Sequence, residues 1–244
     1  MCIRDRIGGI GFLTWDDFCT NKWNLKRYRL QSKIILVTTA VLILLPAIFF
    51  FLSDFAGFSM GKRILASFFQ SVTLRTAGFN TADLGAMNDS SKAIMTLMML
   101  IGGSPGSTAG GMKTTTIAVL ILNAFATFGR EPETEVFGRR FDNTVVKNAA
   151  TIAILYFFLF FAGGIAISQI EHIALSDCLF ETASAVGTAG LTLGITTELG
   201  LVSHLILVVL MYLGRVGGLT LIYAAISVKI QSGAKRPLDK ITVG

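Results

Sequence analysis

Long apolar segments constrain the fold of this chain more than any other feature of its sequence. A helix that crosses a bilayer needs about 20 largely uncharged residues. Only 15% of this chain is charged, whereas a soluble domain has about 25% charged residues. The apolar segments are residues 34–52, 148–167 and 201–228, together with residues 91–128, which contain a glycine-rich interruption. The sequence therefore predicts an all-α integral membrane protein.

The chain contains the sequence Thr-Ala-Gly twice, each time followed by a large apolar residue. The two glycines, Gly78 and Gly190, are 112 positions apart. Each copy follows an apolar stretch too short to cross a bilayer, and each lies between two long apolar segments. This order is typical of a pore loop. Glycine permits φ values that turn backbone carbonyls toward an ion, and these carbonyls can replace the hydration shell of the ion. The predicted half-helices are residues 64–74 and 177–186, and the second is followed by a predicted strand, residues 187–194.

A packing role is the alternative for these small residues, because small side chains let membrane helices approach closely. However, both copies lie in the same setting between spanning helices, and helix packing does not explain that repetition. The repetition favours the pore-loop interpretation.

Residues 101–111 contain five glycines and one proline, a composition that cannot form a straight helix. They interrupt an apolar segment, and unwound segments at membrane depth usually mark a transport route. A nucleotide-binding phosphate loop is the alternative, but the segment lacks the Gly-Lys-Ser/Thr ending of such a loop. We therefore expect a discontinuous membrane helix.

Arg215 lies about midway along an apolar segment, where a charge is costly and usually marks a pore, a cavity or a carboxylate partner. It could act as a brake, either by repelling cations or by donating hydrogen bonds to loop carbonyls. The alternatives are an ion pair with Glu181 or Glu198 and a side chain that reaches the membrane surface. For Lys113, which follows the glycine-rich break, the sequence supports a structural and a functional role equally.

The sequence contains no residue set that predicts catalysis. Asp16 and Asp17 are adjacent, but the apolar segments hold no second acidic pair. We therefore expect a solvated loop or a helix cap rather than a metal site. His172 and His204 have no catalytic companion, and the cysteines lack ligand spacing. A membrane-embedded enzyme, and a structural membrane protein whose loops conduct nothing, are the competing hypotheses.

Basic residues are concentrated in alternate connections between the apolar segments. Thirteen Lys and Arg residues lie in residues 22–33, 130–147 and 229–240, and four lie in the connections between these ranges. Membrane proteins place their basic loops in the cytoplasm. The bias predicts a multi-pass protein of the cell membrane with a cytoplasmic carboxyl terminus and both glycine loops near the outer face. It also explains the net charge of +6 without a nucleic-acid partner.

Together these features resemble the Trk/Ktr/HKT superfamily of potassium transporters, and within it the carboxyl-terminal half of the Ktr-type pore subunit. The resemblance extends from about residue 7 to residue 244, and its blocks are residues 71–81, 102–116, 185–192, 214–217 and 237–244. Gly218 is a departure, since many relatives have a proline there. The short tail after the last span favours the Ktr type over the Trk type.

The resemblance implies a pseudo-fourfold, channel-like cation transporter built from repeated helix–pore loop–helix units. This chain would supply two complete units and the tail of another. The predicted organisation is a non-native leader, 1–6; the end of the second unit's inner helix with a cytoplasmic connection, 7–32; the third unit, 33–129, with its break at 102–111; a cytoplasmic loop, 130–143; the fourth unit, 144–230; and a cytoplasmic tail, 231–244.

The resemblance also assigns residues to a site. It implies that K⁺ binds only at the selectivity filter, formed by Thr76, Ala77, Gly78, Phe79, Thr188, Ala189, Gly190 and Leu191. The filter would be flanked by Arg75, Asn80, Val186 and Gly187. The gate would consist of Gly102, Gly103, Ser104, Gly106, Ser107, Thr108, Gly110, Gly111 and Arg215.

The implied function is K⁺ uptake by conduction through backbone carbonyls, with Na⁺ as a second candidate ion and no bound cofactor. The implied partners are the lipid bilayer, a second full-length pore subunit in a homodimer, and a cytoplasmic nucleotide-binding ring of the RCK type that regulates the pore.

Overall fold

A computed structural model describes residues 8–22, 24–130 and 134–217. The α-helices with two described ends are α1 (Phe12–Asn21), α2 (Leu30–Leu52), α3 (Met60–Thr73), α4 (Asp89–Leu100), α5 (Thr114–Phe128), α6 (Asn143–Glu171), α7 (Leu175–Gly187) and α8 (Leu201–Val216). Short 3-10 turns occupy Leu25–Arg27 and Ile195–Glu198, and an antiparallel hairpin pairs β1 (Glu135–Val136) with β2 (Arg139–Arg140). The predicted leader, Gly218 and the predicted cytoplasmic tail lie outside the described residues.

Within these ranges, two helices are long and apolar enough to cross a bilayer, α2 with 23 residues and α6 with 29. The apolar helices α5 and α8 are shorter. These helices expose large apolar side chains, which marks a membrane or partner surface rather than a solvated one. On α2 the exposed apolar side chains are Val37, Val41, Leu44, Leu45, Ile48 and Leu52.

The helix α2 continues through a proline, Pro46, which has no backbone N–H to donate within the helix. Near this point α3 packs against α2, and Ser71 Oγ donates a hydrogen bond to the carbonyl of Ile43 at 2.6 Å. Hydroxyls from neighbouring helices commonly satisfy backbone groups near a proline in membrane proteins. The contact fixes the half-helix α3 to the spanning helix before it.

The helix α7 lies at the centre of the fold. It packs against α4, α6 and α8. Every side chain from residue 180 to residue 186 is buried, including those of Glu181, Thr182 and Ser184. The second glycine loop therefore begins inside the protein.

The start of α4 is capped by a carboxylate from another element. Asp54, just beyond α2, accepts hydrogen bonds from the N–H of Asn88 at 3.1 Å and from Ser91 Oγ at 2.5 Å. The first N–H groups of a helix have no partner within it, and a negative charge near them is favourable. This cap joins the end of α2 to the helix that follows the first glycine loop.

The start of α8 has the same arrangement. Glu171, the last residue of α6, accepts hydrogen bonds from the N–H of Gly200 at 2.8 Å and from Ser203 Oγ at 2.5 Å. Asn88 and Gly200 are 112 positions apart, as are Ser91 and Ser203, which is also the separation of the two motif glycines. The helices that follow the two glycine loops are therefore anchored in equivalent ways.

Both half-helices begin earlier than predicted. The helix α3 begins at Met60, because Arg63 in its first turn donates to the carbonyl of Phe51 at 2.7 Å and lies 4.0 Å from the centroid of the Phe51 ring. The helix α7 begins at Leu175. Charged and polar residues in the first turns conceal both starts from a search for apolar runs.

The acidic pair is not wholly solvated, contrary to one of the two expectations. Asp16 and Asp17 lie in α1, and Asp17 is buried. The Asp17 carboxylate accepts hydrogen bonds from the N–H of Arg29 at 3.1 Å and from Ser32 Oγ at 2.6 Å. Asp16 pairs with the Arg29 guanidinium at 3.1 Å. The pair therefore caps the start of α2 and joins it to α1.

The connection predicted as a cytoplasmic loop contains the hairpin, which departs from the all-α expectation. The turn residues Phe137 and Gly138 both have positive φ, 51° and 73°, a combination favoured in two-residue hairpin turns. Because phenylalanine rarely adopts this conformation, the residue pattern contains no clear turn signal. Lys33 lies 5.9 Å from the centroid of the Phe137 ring and connects the hairpin to α2.

Replacing Ser91 with alanine should destabilise the protein by about 2 kcal/mol, because the Asp54 carboxylate loses the hydrogen bond that the buried Ser91 hydroxyl donates to it. The control is Ser59→Ala, since Ser59 precedes α3 and its side chain makes no capping hydrogen bond. We expect thermal unfolding in detergent to show a lower midpoint for Ser91→Ala alone. Equal midpoints would show that the carboxylate cap does not stabilise the fold.

Candidate functional site

The two Thr-Ala-Gly segments adopt the same backbone conformation. In the first, Thr76 and Gly78 have positive φ values of 63° and 71°, and in the second Thr188 and Gly190 have values of 53° and 82°. The alanine between them has negative φ in both segments. The sign of φ therefore alternates along each segment, although threonine adopts positive φ only with strain.

The two loops meet backbone to backbone. A Cβ atom added at Gly78 would lie 2.5 Å from the carbonyl oxygen of Ala189. A Cβ atom at Gly190 would have the Cα of Gly78 as its nearest neighbour, at 3.8 Å. The predicted strand, residues 187–194, is an irregular loop, and Gly187 still belongs to α7. The shape of each loop therefore depends directly on the main chain of the other.

Each loop is bound to the half-helix that precedes it. Thr73 Oγ1 donates to the carbonyl of Phe79 at 2.6 Å, and Ser184 Oγ accepts a hydrogen bond from the N–H of Leu191 at 2.9 Å. Phe79 and Leu191 occupy the same position after the motif glycine in their loops. The two loops thus share their φ pattern but use different main-chain groups for attachment.

The four residues predicted to flank the filter have different environments. Asn80 is exposed, whereas Val186 and Gly187 are buried in the last turn of α7. Arg75 is also buried, and its Nη2 donates to the carbonyl of Gly102 at 3.1 Å. Arg75 therefore connects the first loop to the glycine-rich break.

The predicted break, residues 102–111, lies in a non-helical segment between α4 and α5. The N–H of Gly102 donates to the carbonyl of Met112 at 2.8 Å, and the N–H of Met112 donates to the carbonyl of Leu100 at 3.1 Å. These bonds hold the two ends of the segment side by side. The break is consequently a compact loop whose start, at the end of α4, lies beside its end, at the start of α5.

Two cationic side chains hold the tip of the break. Arg215 Nη1 donates to the carbonyl of Thr108 at 2.5 Å, and Lys113 Nζ donates to the carbonyl of Ala109 at 2.6 Å. The main chain of α8 accepts a further hydrogen bond from the N–H of Gly111 at 3.1 Å. The break is therefore attached to α8 through both a side chain and the main chain.

Arg215 is exposed in the structure. In the part of the chain that the structure describes, it forms no ion pair with Glu181 or Glu198. The carboxylate of Glu181 instead accepts hydrogen bonds from Thr192 and Thr196. Of the partners considered for Arg215, the structure provides the loop carbonyl.

A cavity of about 310 Å³ lies between the two loops and the tip of the break, and its lining is more polar than apolar. Both loops, the break and α8 contribute to it. The lining residues are Gly8, Thr76, Ala77, Phe79, Thr108, Ala109, Thr188 and Arg215. The structure thus brings residues predicted for the filter and residues predicted for the gate to one space.

Not every predicted filter residue borders this cavity. Ala189 and Leu191 belong to the second loop but are buried, and Gly78 and Gly190 lie where the loops meet. Sequence reasoning missed the contact of Arg75 with the break and the hydrogen bonds of Glu181. A charged residue within or directly after an apolar half-helix is the signal that could have found both. Among the described residues, no cluster of His, Cys, Asp or Glu is suited to a metal ion.

The chain matches the TrkH family, described as a cation transport protein, over residues 28–234. It is 34% identical to the potassium/sodium uptake protein NtpJ of Enterococcus hirae, over 97% of this chain and 55% of NtpJ. It is 32% identical to the Ktr system potassium uptake protein B of Bacillus subtilis, over 97% of this chain and 54% of that protein. The chain spans about half the length of the curated relatives it matches.

The fold is similar to a solved structure, that of the potassium transporter TrkH from Vibrio parahaemolyticus. The TM-score is 0.74 at 20% sequence identity, and the match covers 92% of this chain and 51% of the other. At this level of identity the similarity concerns the fold alone.

Alanine at Gly78 should destabilise the protein more than alanine at Gly190. Both substitutions place a Cβ atom at positive φ, which costs about 1–2 kcal/mol, but only the one at Gly78 meets a backbone oxygen at 2.5 Å. Gly57→Ala is the control, because no atom lies within 4 Å of its added Cβ. Thermal midpoints in detergent should fall in the order Gly57→Ala, Gly190→Ala, Gly78→Ala. The reverse order for the last two would contradict the observed loop contact.

Proposed function

Because this chain belongs to the TrkH family of cation transport proteins, we propose that it supplies part of the pore of a potassium transporter. Membership confirms the resemblance predicted from the sequence and places the helical fold in a membrane. The proposal rests above all on one observation, the pair of contacting loops with alternating φ beside a polar cavity. The relatives compared above are named as uptake proteins for potassium, or for potassium and sodium.

In this proposal the backbone carbonyls of the two loops bind the ion. An extended strand turns successive carbonyls to opposite sides, whereas alternation in the sign of φ lets them face one side and replace a hydration shell. The transported ion is K⁺, with Na⁺ as the second candidate. The filter residues are those assigned from the sequence.

We assign the chain two complete helix–pore loop–helix units and the tail of a third, within a pseudo-fourfold pore. The 112-residue separation supports this assignment, since it relates the two motif glycines and also the capped starts of α4 and α8. The length of the relatives agrees with it, because the chain spans about half of each. A complete pathway then needs two more loops from the remainder of the full-length protein.

The glycine-rich break serves as the gate of this pore. Support comes from its position, since its tip borders the same cavity as the filter loops. Its attachment to α8 by Arg215 is one hydrogen bond to a carbonyl, which can be exchanged for water. A loop rich in small residues can then move without repacking large side chains. Arg215 acts as a brake because it holds the loop in the pathway.

The transporter lies in the cell membrane with both filter loops toward the outer face and its carboxyl terminus in the cytoplasm. The distribution of basic residues supports this orientation. The partners in the proposal are the lipid bilayer, a second full-length pore subunit and a cytoplasmic nucleotide-binding ring of the RCK type. Neither a cofactor nor a nucleic acid is part of it.

The test of the proposal is K⁺ uptake by the full-length protein in bacterial cells that lack their own K⁺ transporters. Cells that produce the protein should grow at low external K⁺ and accumulate K⁺. Cells that produce the Gly78→Ser variant, at equal membrane abundance, should show a lower K⁺ affinity or a lower preference for K⁺ over Na⁺. An abundant wild-type protein that moves neither ion would contradict the proposal.

Replacing Arg215 with alanine should increase K⁺ flux per molecule by about tenfold, the effect of losing one hydrogen bond from a charged donor. The increase should be larger when the regulator holds the pore closed. Arg215→Lys is the matched variant, because it retains the charge and one donor. The measurement is flux divided by membrane abundance. Reduced abundance with unchanged flux per molecule would show that Arg215 is only structural.

A further inference from the structure

Glu181 is a buried carboxylate in the centre of the fold, on the half-helix α7 that precedes the second loop. Only 4% of its surface is exposed. Burial of a charged group is costly unless hydrogen bonds compensate for the lost water. The hydrogen-bond partners of the Glu181 carboxylate therefore indicate the role of this residue in the folded protein.

All donors to Glu181 that the structure describes come from the segment that follows the second loop. Oε1 accepts hydrogen bonds from Thr192 Oγ1 at 2.6 Å and from the N–H of Leu193 at 3.0 Å. Oε2 accepts one from Thr196 Oγ1 at 2.7 Å. The two hydroxyl oxygens lie 2.7 Å apart, and Thr192 Oγ1 also accepts the N–H of Gly194 at 2.9 Å. One carboxylate thus organises residues 192–196.

Glu181 acts together with Ser184, which lies one turn later on the same face of α7. Ser184 binds the N–H of Leu191, and Glu181 binds the N–H of Leu193. The chain therefore runs back along α7 with alternate N–H groups bound to successive turns of the helix. Because Leu191 is the last residue of the filter assigned to this loop, the carboxylate lies directly behind the point where the loop ends.

The first loop has no equivalent carboxylate. The residue 112 positions before Glu181 is Phe69. In the described part of that loop, attachment to the half-helix comes from the hydroxyl of Thr73 instead. At the position where the second half-helix has a buried carboxylate, the first half-helix therefore has a phenylalanine, although the two loops share their φ pattern.

We propose that Glu181 is a positioning residue that holds the second filter loop in shape and supplies a negative charge behind that loop. This inference rests on the proposed transport function and adds a residue outside the filter and the gate. The rigid attachment of residues 191–196 keeps the loop carbonyls directed at the ion. The charge attracts a cation, because a buried charge is screened less than an exposed one. The two effects together set the affinity for K⁺.

The test compares Glu181→Gln with Glu198→Gln in the full-length protein with its regulatory partner. Glutamine retains the size of the side chain and an acceptor oxygen but removes the charge. Glu198 lies in the same segment and is exposed, so its replacement removes the same charge from the surface. We expect KM for K⁺ uptake to rise about tenfold for Glu181→Gln and to stay within about twofold for Glu198→Gln. Maximal uptake per molecule should change little in both.

A second pair of variants keeps the test informative if Glu181→Gln does not fold. Thr196→Val removes one hydroxyl donor to the carboxylate at nearly constant volume. Thr197→Val removes the neighbouring hydroxyl, which donates to the carbonyl of Gly194 and not to Glu181. We expect a higher KM for Thr196→Val than for Thr197→Val at equal membrane abundance.

The outcomes separate this inference from the proposed function. A wild-type protein without K⁺ uptake contradicts the proposed function and with it the role of Glu181. A wild-type protein that transports K⁺, with equal KM values within each pair of variants, contradicts the role of Glu181 alone. A fall in maximal uptake or abundance without a change in KM also overturns it, because that result describes a residue needed only for folding.

Discussion

The structure depends on how the non-helical backbone between its apolar helices finds hydrogen-bond partners, because lipid supplies none. The break between α4 and α5 leaves carbonyls without helical partners, and three cationic side chains from three different parts of the chain donate to them. Arg75 donates to Gly102, Arg215 to Thr108 and Lys113 to Ala109. These donors come from the start of the first loop, from α8 and from the residue directly before α5. The positive charges that look isolated in an apolar sequence are therefore the partners of the irregular backbone.

This arrangement links the first Thr-Ala-Gly loop to the break through a side-chain hydrogen bond. Arg75 follows the half-helix before the first loop. The second loop follows the buried helix α7 and is hydrogen-bonded back to it. Each loop is therefore fixed by helices on one side and lies near the break on the other. The contact between the loops is main chain against main chain at Gly78 and Ala189. A change in the position of the break can therefore reach the loops through Arg75, whereas α7 holds the second loop in place through Ser184 and Glu181.

Much of the fold follows from residue patterns. Apolar runs locate α2 and α6, glycine and proline locate the break, and the repeated Thr-Ala-Gly segments locate two loops with matching φ. Apolar patterns do not predict helix ends that depend on tertiary contacts. The start of α3 is an example, because Arg63 in its first turn packs on Phe51. Apolar patterns also fail at Phe137, whose left-handed conformation depends on the hairpin around it. For the site, residue types identified Arg215 but not its partner, since a guanidinium can donate equally well to a carboxylate or to a carbonyl. The burial of Glu181 was equally hidden, because it results from the packing of α4, α6 and α8 around α7.

The hydrogen bond from Arg215 to Thr108 has a consequence for how this site changes in evolution. Its acceptor is a main-chain oxygen, which every amino acid provides, so the identity of the side chain at position 108 does not affect it. The same holds for Lys113 with Ala109. Gly102, the acceptor of Arg75, is instead restricted to glycine, because an added Cβ atom would collide with the carbonyl oxygen of Gly110. Correlated substitutions between relatives, which reveal contacts between side chains, should therefore be absent for these three pairs. Arg215 and Lys113 can therefore be retained while the side chains at positions 108 and 109 change, and the coupling between helix and loop remains intact although no sequence comparison would display it.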